Sequence, residues 1–420
     1  LVIAPTTVMD HWYDKVSEYA PNLKPMVYHG NKRTSLMTKF NQNYNTLITS
    51  YGVILRDVKQ LTEMQWDAVV LDEAHYVKNS DTATYRTVCK LNAKIRICLT
   101  GTPMENNLGE LKNIFDFLVP GYLGSDEYFK REFIAPIVLH QDSEREHALL
   151  KLIHPFKLRR VKSNVLKDLP PKVEDKRTCV LSEDQIKLYQ NILALKGKPI
   201  VDQLENDDTP VPYLHVFATL NLLKQICDHP ALVIENADPD KYESGKFELL
   251  KEIISQALGS DHKIVIYSQY LKMIDIIKKY LDSLGVHHVS LTGQTRNRGK
   301  VIAEFQNNPE CKVYIGSLLA GGIGIDLTAA SVVIHYDRWW NASKESQATD
   351  RVHRIGQNKN VLVYKLITKG TLEEKIDALI NEKKDLFDKF MNKDEEIFKH
   401  FTRQQIIELL AVPDENKDER

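Results

Sequence analysis

Two blocks of short, β-rich apolar runs, separated by a long stretch that has none, constrain this chain more than any other feature. The first block holds Val2-Ile3-Ala4, Thr46-Leu47-Ile48-Thr49, Val69-Val70-Leu71 and Ile95-Arg96-Ile97-Cys98-Leu99. The second holds runs at 263–267, 287–291, 312–315, 332–336 and 361–365. Segments between the runs, such as His11 to Tyr19, have helical spacing. Strands that alternate with helices imply a parallel sheet covered by helices. The expected fold class is therefore α/β, with two parallel-sheet lobes. Strand patterns stop between Asn107 and Arg160 and again between Ser182 and His229, where amphipathic stretches such as Leu108 to Leu118 and Ser143 to Ile153 take over. An acidic break at 205–210 reads as disordered. From Thr371 the pattern is helical and charged, with Leu372, Ile376, Leu379, Phe387, Phe390 and Met391 as a buried stripe, and Pro413 to Arg420 reads as a solvated tail.

A chain of 420 residues is longer than one core usually supports. The expected division is 1–105 as a partial first lobe, 106–165 as its helical protrusion and brace, and 166–244 as a linker with the protrusion of the second lobe. Residues 245–370 form the second lobe, and 371–420 are C-terminal helices and tail. A net charge of −1 means that any nucleic-acid surface is a local basic stripe. The five cysteines are scattered without CxxC pairing, which suggests neither a zinc site nor a disulfide framework. A reducing, intracellular setting is expected, either bacterial cytoplasm or eukaryotic nucleus. No apolar run reaches the roughly 18 residues of a membrane span, so no membrane partner is expected. The chain opens within a strand pattern and without methionine, and reads as a fragment.

The run Val69-Val70-Leu71-Asp72-Glu73-Ala74-His75 is an apolar strand that ends in two carboxylates. P-loop NTPases hold magnesium and poise water with such a strand end. Asp72 would hold Mg2+ through water, Glu73 would orient the attacking water, and His75 would couple to a neighbouring loop. The alternative is a solvated strand end. Leu99-Thr100-Gly101-Thr102-Pro103 leaves another strand, and the hydroxyls of Thr100 and Thr102 beside Gly101 could bond Asp72, Glu73 or His75. The same run is also a good turn.

Ser346 to Gln357 places Arg351 and Arg354 three apart beside a Gly-Gln, downstream of the strand-like Val332 to Tyr336. On a helix, residues so spaced share a face, and both guanidiniums could reach one anionic target. They are read as fingers toward the γ-phosphate of ATP, with Gln347 in a coupling role; the bland reading is a pair of surface arginines. Gly316 to Asp326 leaves a further strand. Its glycines, Gly322 and Gly324 among them, let the backbone approach the phosphates of a nucleotide or of nucleic acid. Gly322, Gly324 and Asp326 are assigned to ATP.

Gly293 to Lys300 imitates a phosphate-binding loop, but has one residue too many between its glycines, and Val301 stands where Ser or Thr would bind magnesium. Arg296, Arg298 and Lys300 fit phosphate contacts to nucleic acid better, unless the loop is simply solvated. Of Trp339 and Trp340, core packing accounts for one, and the other could wedge at a nucleic-acid groove. The basic run from Lys157 to Lys162, with Arg159 and Arg160, could grip phosphates or brace the lobes. Cys227-Asp228-His229 invites a metal reading but lacks a second ligand pair.

In this order, the motifs resemble the SWI/SNF-type family of helicase-like ATPases in helicase superfamily two. The likeness runs from Leu1 to about Lys369. It is carried by Leu1 to Trp12, the DEAH run at Asp72 to Asn79, Leu99 to Asn107, Leu158 to Val165, Leu223 to Pro230 and Gly316 to Gln357. The resemblance implies two RecA-like lobes with helical protrusions, ATP and Mg2+ as cofactors, and double-stranded DNA as track. The motor would remodel a protein–DNA complex such as a nucleosome or an RNA polymerase. It also implies metal and water-activating roles for Asp72 and Glu73, finger roles for Arg351 and Arg354, and a DNA-groove role for Trp340. A strand-separating DNA or RNA helicase and a non-hydrolysing DNA-binding module are the alternatives. Two departures stand out. No Gly-Lys-Ser/Thr phosphate loop is present, so this chain alone is expected to be inactive. Leu319 replaces the family's usual Lys or Arg, and Ile325-Asp326 replaces Leu-Asn, which could retune the grip on DNA.

Overall fold

The computed structural model describes residues 1–31, 33–100, 108–140, 142–158, 160, 166, 168–206, 209–295, 297–318, 325–340, 342–382 and 402–411. The chain divides into two compact units, Leu1–Val165 and Leu166–Arg420. Among the described residues no helix is long and apolar enough to cross a membrane.

The first unit is built on a five-stranded sheet of β1 (Val2–Ala4), β2 (Pro25–Val27), β3 (Thr46–Ser50), β4 (Gln65–Leu71) and β5 (Asn92–Cys98). The strand order is β2-β3-β1-β4-β5, and every pairing is parallel. Leu1, Ile3, Leu47, Val69 and Leu71 point from one face into a core closed by Met37, Phe40, Tyr51 and Val88. The edge strand β5 is less protected: Ile95 is 57 % and Ile97 41 % exposed. A second small core, around Leu111, Phe115, Phe129 and Leu149, joins the helices Leu108–Leu118 and Ser143–Ile153.

The second unit carries a six-stranded sheet of β6 (Lys172–Cys179), β7 (Ile264–Ser268), β8 (His288–Leu291), β9 (Val313–Ser317), β10 (Val332–His335) and β11 (Val361–Thr368). Its order is β6-β11-β10-β7-β9-β8, again all parallel. Here both faces are sealed. Ile264, Ile266, Ile315, Val332 and Ile334 face one core, and Val265, Tyr267, Tyr314, Val333 and Val363 face another. Burial on both sides is why these strands read as continuous apolar runs. The helices Glu183–Ile192, Lys198–Leu204, Tyr213–Asp228, Leu372–Glu382 and Arg403–Leu410 share a separate core that also takes in Trp340.

Two strands were not expected. β2 has only three residues and begins with proline. β6 lies in the segment read as linker and helical protrusion, yet it pairs with β11 over its whole length. Its sequence, Lys-Val-Glu-Asp-Lys-Arg-Thr-Cys, is half-solvated at the sheet edge, so it lacks the apolar signature of a central strand. Near the acidic break, Arg403 donates to the carbonyls of Leu204 (3.2 Å), Asn206 (3.0 Å) and Thr209; residues 207 and 208 lie outside the described residues. Phe387, Phe390, Met391 and the tail from Pro413 also lie outside them.

Candidate active site

In the first unit the acidic pair sits where β4 ends. The Asp72 N–H donates to the Ile3 carbonyl of β1 at 2.8 Å, and the Leu99 N–H beyond β5 donates to the Leu71 carbonyl at 2.8 Å. The Ala74 N–H then bonds the Leu99 carbonyl at 2.8 Å. Between those anchors Glu73 adopts φ +51, ψ +55, the left-handed region that residues other than Gly, Asn and Asp rarely enter. Of order 1–3 kcal/mol of strain is stored in such a residue, and the flanking backbone bonds hold it there.

The two carboxylates have different partners. Asp72 Oδ1 accepts from the Glu73 N–H at 2.9 Å, and Oδ2 accepts from the Trp12 indole N–H at 2.8 Å. The Tyr51 hydroxyl donates to the Asp72 carbonyl at 2.7 Å. Glu73 Oε2 faces His75 Nδ1 at 3.2 Å, and both side chains are about a quarter exposed. The Tyr76 ring stacks on His75 and on Tyr51, each at 4.8 Å. Burial pushes the Tyr51 and Tyr76 phenols up, so both stay neutral. His75 therefore lies beside Glu73, and Thr100 follows Leu99 at the neighbouring strand end. Gly101 and Thr102 lie outside the described residues.

The donor set at Asp72 and Glu73 is all oxygen, which suits magnesium. Each oxygen of Asp72 has accepted one hydrogen bond and retains a lone pair. Among the described residues no group of three or more His, Cys, Asp or Glu could hold a metal ion.

In the second unit the arginines differ from expectation. The helix Ala342–Thr349 ends before them, and Arg351 and Arg354 lie in the turns that follow. The Arg351 carbonyl leaves the helical ladder to accept from the Leu327 N–H at 3.0 Å. The turn closes at Gly356, φ +99. Gln357 locks it from beneath: its amide donates to the carbonyls of Ala330 (2.7 Å), Val352 (3.1 Å) and Thr328 (3.2 Å). Its oxygen accepts from the N–H groups of Asn358 and Lys359. Arg354 donates to the Ile325 carbonyl at 3.3 Å. The arginines are thus oriented by a pinned turn beside the end of the glycine-rich loop, without a shared helical face.

Asp326 has a structural task. Its Oδ1 accepts from the Thr328 N–H and the Gln306 amide, both at 3.1 Å. Gly322, Gly324 and Leu319 lie outside the described residues. Gln347 is half-buried on the helix Ala342–Thr349.

Of the residues assigned to DNA, Arg160 and Lys300 are exposed and Arg298 is half-buried. Arg298 and Lys300 stand in the first turn of the helix Arg298–Asn307. Arg296 and Arg159 lie outside the described residues. Neither tryptophan is presented to solvent: Trp339 is 5 % and Trp340 4 % exposed. Trp340 packs into the helical core, with the Lys224 ammonium 5.7 Å from its ring. The groove role implied for Trp340 is therefore not one that this conformation presents.

Buried charge, which the sequence pattern did not flag, organises the same region. Arg338 is clamped between Glu345, on the helix leading to the arginine turn, and Asp377 of the helix Leu372–Glu382, the latter at 2.6 Å. Asp337 accepts from the Ser268 hydroxyl at 2.6 Å and the Gln269 N–H at 3.0 Å. Asp228, the centre of the tempting Cys-Asp-His run, pairs with Lys246, and His229 Nδ1 accepts from the Ala231 N–H at 3.1 Å. Those residues are core ties.

Two parallel-sheet units, one ending a strand in adjacent carboxylates and the other carrying a pinned arginine turn, define a helicase-like nucleotide hydrolase fold. The family description "SNF2-related domain" matches residues 1–232, and "Helicase conserved C-terminal domain" matches 245–356. The chain belongs to the SNF2 family. It is 37 % identical, over 98 % of its length and 45 % of the relative's, to YwqA of Bacillus subtilis, which bears an ATP-dependent helicase/translocase name. It is 31 % identical to human TATA-binding protein-associated factor 172, over 100 % of this chain and 26 % of that one. Among solved structures it resembles the Sulfolobus solfataricus SWI2/SNF2 ATPase core in complex with dsDNA, at 37 % identity and TM-score 0.50, covering 98 % of this chain and 86 % of that one. The two sheets are RecA-like lobes of an SNF2-family ATPase core. The chain spans less than half the length of these curated relatives.

Proposed function

We propose that this chain is the greater part of the motor of a DNA-dependent ATPase that moves along double-stranded DNA and displaces or rearranges proteins bound to it. The observation that carries the reading is the strand end at Asp72 and Glu73, where a strained backbone separates two carboxylates and His75 faces Glu73. Glu73 would accept a proton from the attacking water or orient it, and Asp72 would hold a hydrated cation. Arg351 and Arg354 would stabilise charge developing on the transferred phosphoryl group, a role worth about 10³–10⁵ in rate where dissected. Bound Mg2+ would neutralise the phosphates of ATP. β5 is an outer strand of the first sheet, so a further parallel strand could pair with it. Arg160, Arg298 and Lys300 would contact DNA phosphates.

The names of the relatives support the choice of substrate: a dsDNA complex for the Sulfolobus core, and TATA-binding protein association for the human factor. The test is ATP turnover by the full-length protein with and without duplex DNA, alongside third-strand displacement from a triplex and strand separation on a forked duplex. Duplex-stimulated turnover with triplex displacement and little unwinding is expected. Efficient unwinding would make it a strand-separating helicase, and turnover indifferent to DNA would end the motor reading.

A further inference from the structure

We propose that Trp12 is a positioning residue for Asp72: its indole N–H selects which lone pairs of the carboxylate remain for a hydrated cation. The inference deepens the function proposed above and rests on it.

A carboxylate at the end of a strand can rotate broadly about its last torsion, so β4 alone does not orient the plane of Asp72. Two donors from separate elements do. The Glu73 N–H holds Oδ1 at 2.9 Å. The Trp12 Nε1–H, from the helix Met9–Tyr19, holds Oδ2 at 2.8 Å across sixty residues of sequence. Each oxygen keeps one acceptor site, and both sites are fixed in direction. Tyr51 secures the backbone through the Asp72 carbonyl. An indole N–H donates at every accessible pH and never accepts, so the restraint does not depend on protonation and adds no charge to compete with a cation.

The competing explanation is that Asp72 merely satisfies a half-buried indole. In that case losing the donor lowers stability and leaves the cation requirement alone. In the full-length protein, Trp12→Phe is expected to raise the Mg2+ concentration for half-maximal turnover by about tenfold, the scale of losing a hydrogen bond to a charged group. Saturating Mg2+ is expected to restore most of the rate. Trp12→His, which keeps a ring N–H, is expected to recover part of the Mg2+ affinity. A second readout needs no turnover: the 19F resonance of 5-fluorotryptophan at position 12 should shift on Mg2+ addition, and Asp72→Asn should abolish that shift.

An active wild type whose Mg2+ dependence is unaltered by Trp12→Phe overturns the positioning role. A wild type without turnover overturns the function proposed above instead. The 19F titration then judges the inference by itself, upheld by a Mg2+-dependent shift lost in Asp72→Asn and overturned when no shift occurs.

Discussion

Lys246 and Asp228 meet at 2.7 Å where neither side chain reaches solvent. Glu373 closes on the same ammonium from the helix Leu372–Glu382, and its other oxygen accepts from the Thr368 N–H of β11 at 2.9 Å. Burial opposes the charge on Lys246, but the Asp228 and Glu373 carboxylates outweigh it and hold the ammonium well above its ordinary value. The triad ties the helix Tyr213–Asp228, the second sheet and the helix Leu372–Glu382 together. Removing one member of a buried ion pair strands its partner, at about 3–5 kcal/mol. Lys246→Met should lose that much in urea unfolding, and adding Asp228→Asn with Glu373→Gln should return much of it. A loss below about 1 kcal/mol, the value of an exposed pair, would show that the triad is not sealed.

Glu73→Gln keeps the size of the side chain and removes its basicity. ATP binding by the full-length protein should be retained, while turnover drops by about 10²–10⁴, the range for a lost general base. Equilibrium binding of a fluorescent nucleotide, measured beside phosphate release, separates the two effects. Unchanged phosphate release would remove Glu73 from the water-activating role.

Arg351→Lys and Arg354→Lys should each behave more like loss than conservation, because an ammonium cannot reproduce a guanidinium fork. Single-turnover hydrolysis is expected to slow by roughly 10³ or more. Gln357→Ala should produce a milder version of the same defect. That side chain touches five backbone groups beneath the turn and acts only by holding its shape. A Gln357→Ala protein as slow as Arg351→Lys would mean that turn geometry, and not the arginine, carries the effect.

His335 and His229 set an acid limit on the second unit. Burial lowers His335 to about 3 and His229 to about 4, against about 6.5 in the unfolded chain. Below pH 6.5 the unfolded state takes up protons that the native state refuses, so stability falls as pH falls. The contribution is fully present above pH 6.5 and declines down to the folded values, by about 1.4 kcal/mol per pH unit for each histidine. Unfolding free energies should fall by about half of that slope between pH 7 and 6 and by most of it between pH 6 and 5, and His335→Gln should remove one histidine's share. An equal slope in the variant would place the acid sensitivity elsewhere.

Most of the sheet architecture was legible because apolar runs report burial locally. Ile264 to Tyr267 and Val332 to His335 are enclosed on both faces and announce themselves. β6 did not, since a charge-rich edge strand looks like a linker until its partner β11 is in view. The acidic pair was legible for the same reason as the strands: Asp72 and Glu73 terminate an apolar run. The surroundings that give them direction were not. Nothing near Trp12 in the chain hints at a bond sixty residues away, and nothing in the spacing of Arg351 and Arg354 reveals that their helix ends at Thr349.

By itself, then, the amino-acid order determined two parallel-sheet lobes, the carboxylate-bearing strand end and the family. Those follow from hydrophobic periodicity and from motifs only a few residues long. Tertiary structure alone decided that Glu73 is left-handed, that the arginines occupy a turn pinned by Gln357, that Trp340 is buried, and that Asp228 serves Lys246 and not a metal. Each of these outcomes depends on which distant group satisfies a buried donor, acceptor or charge. Such partners are chosen by packing in three dimensions, where residues far apart in the chain lose water together.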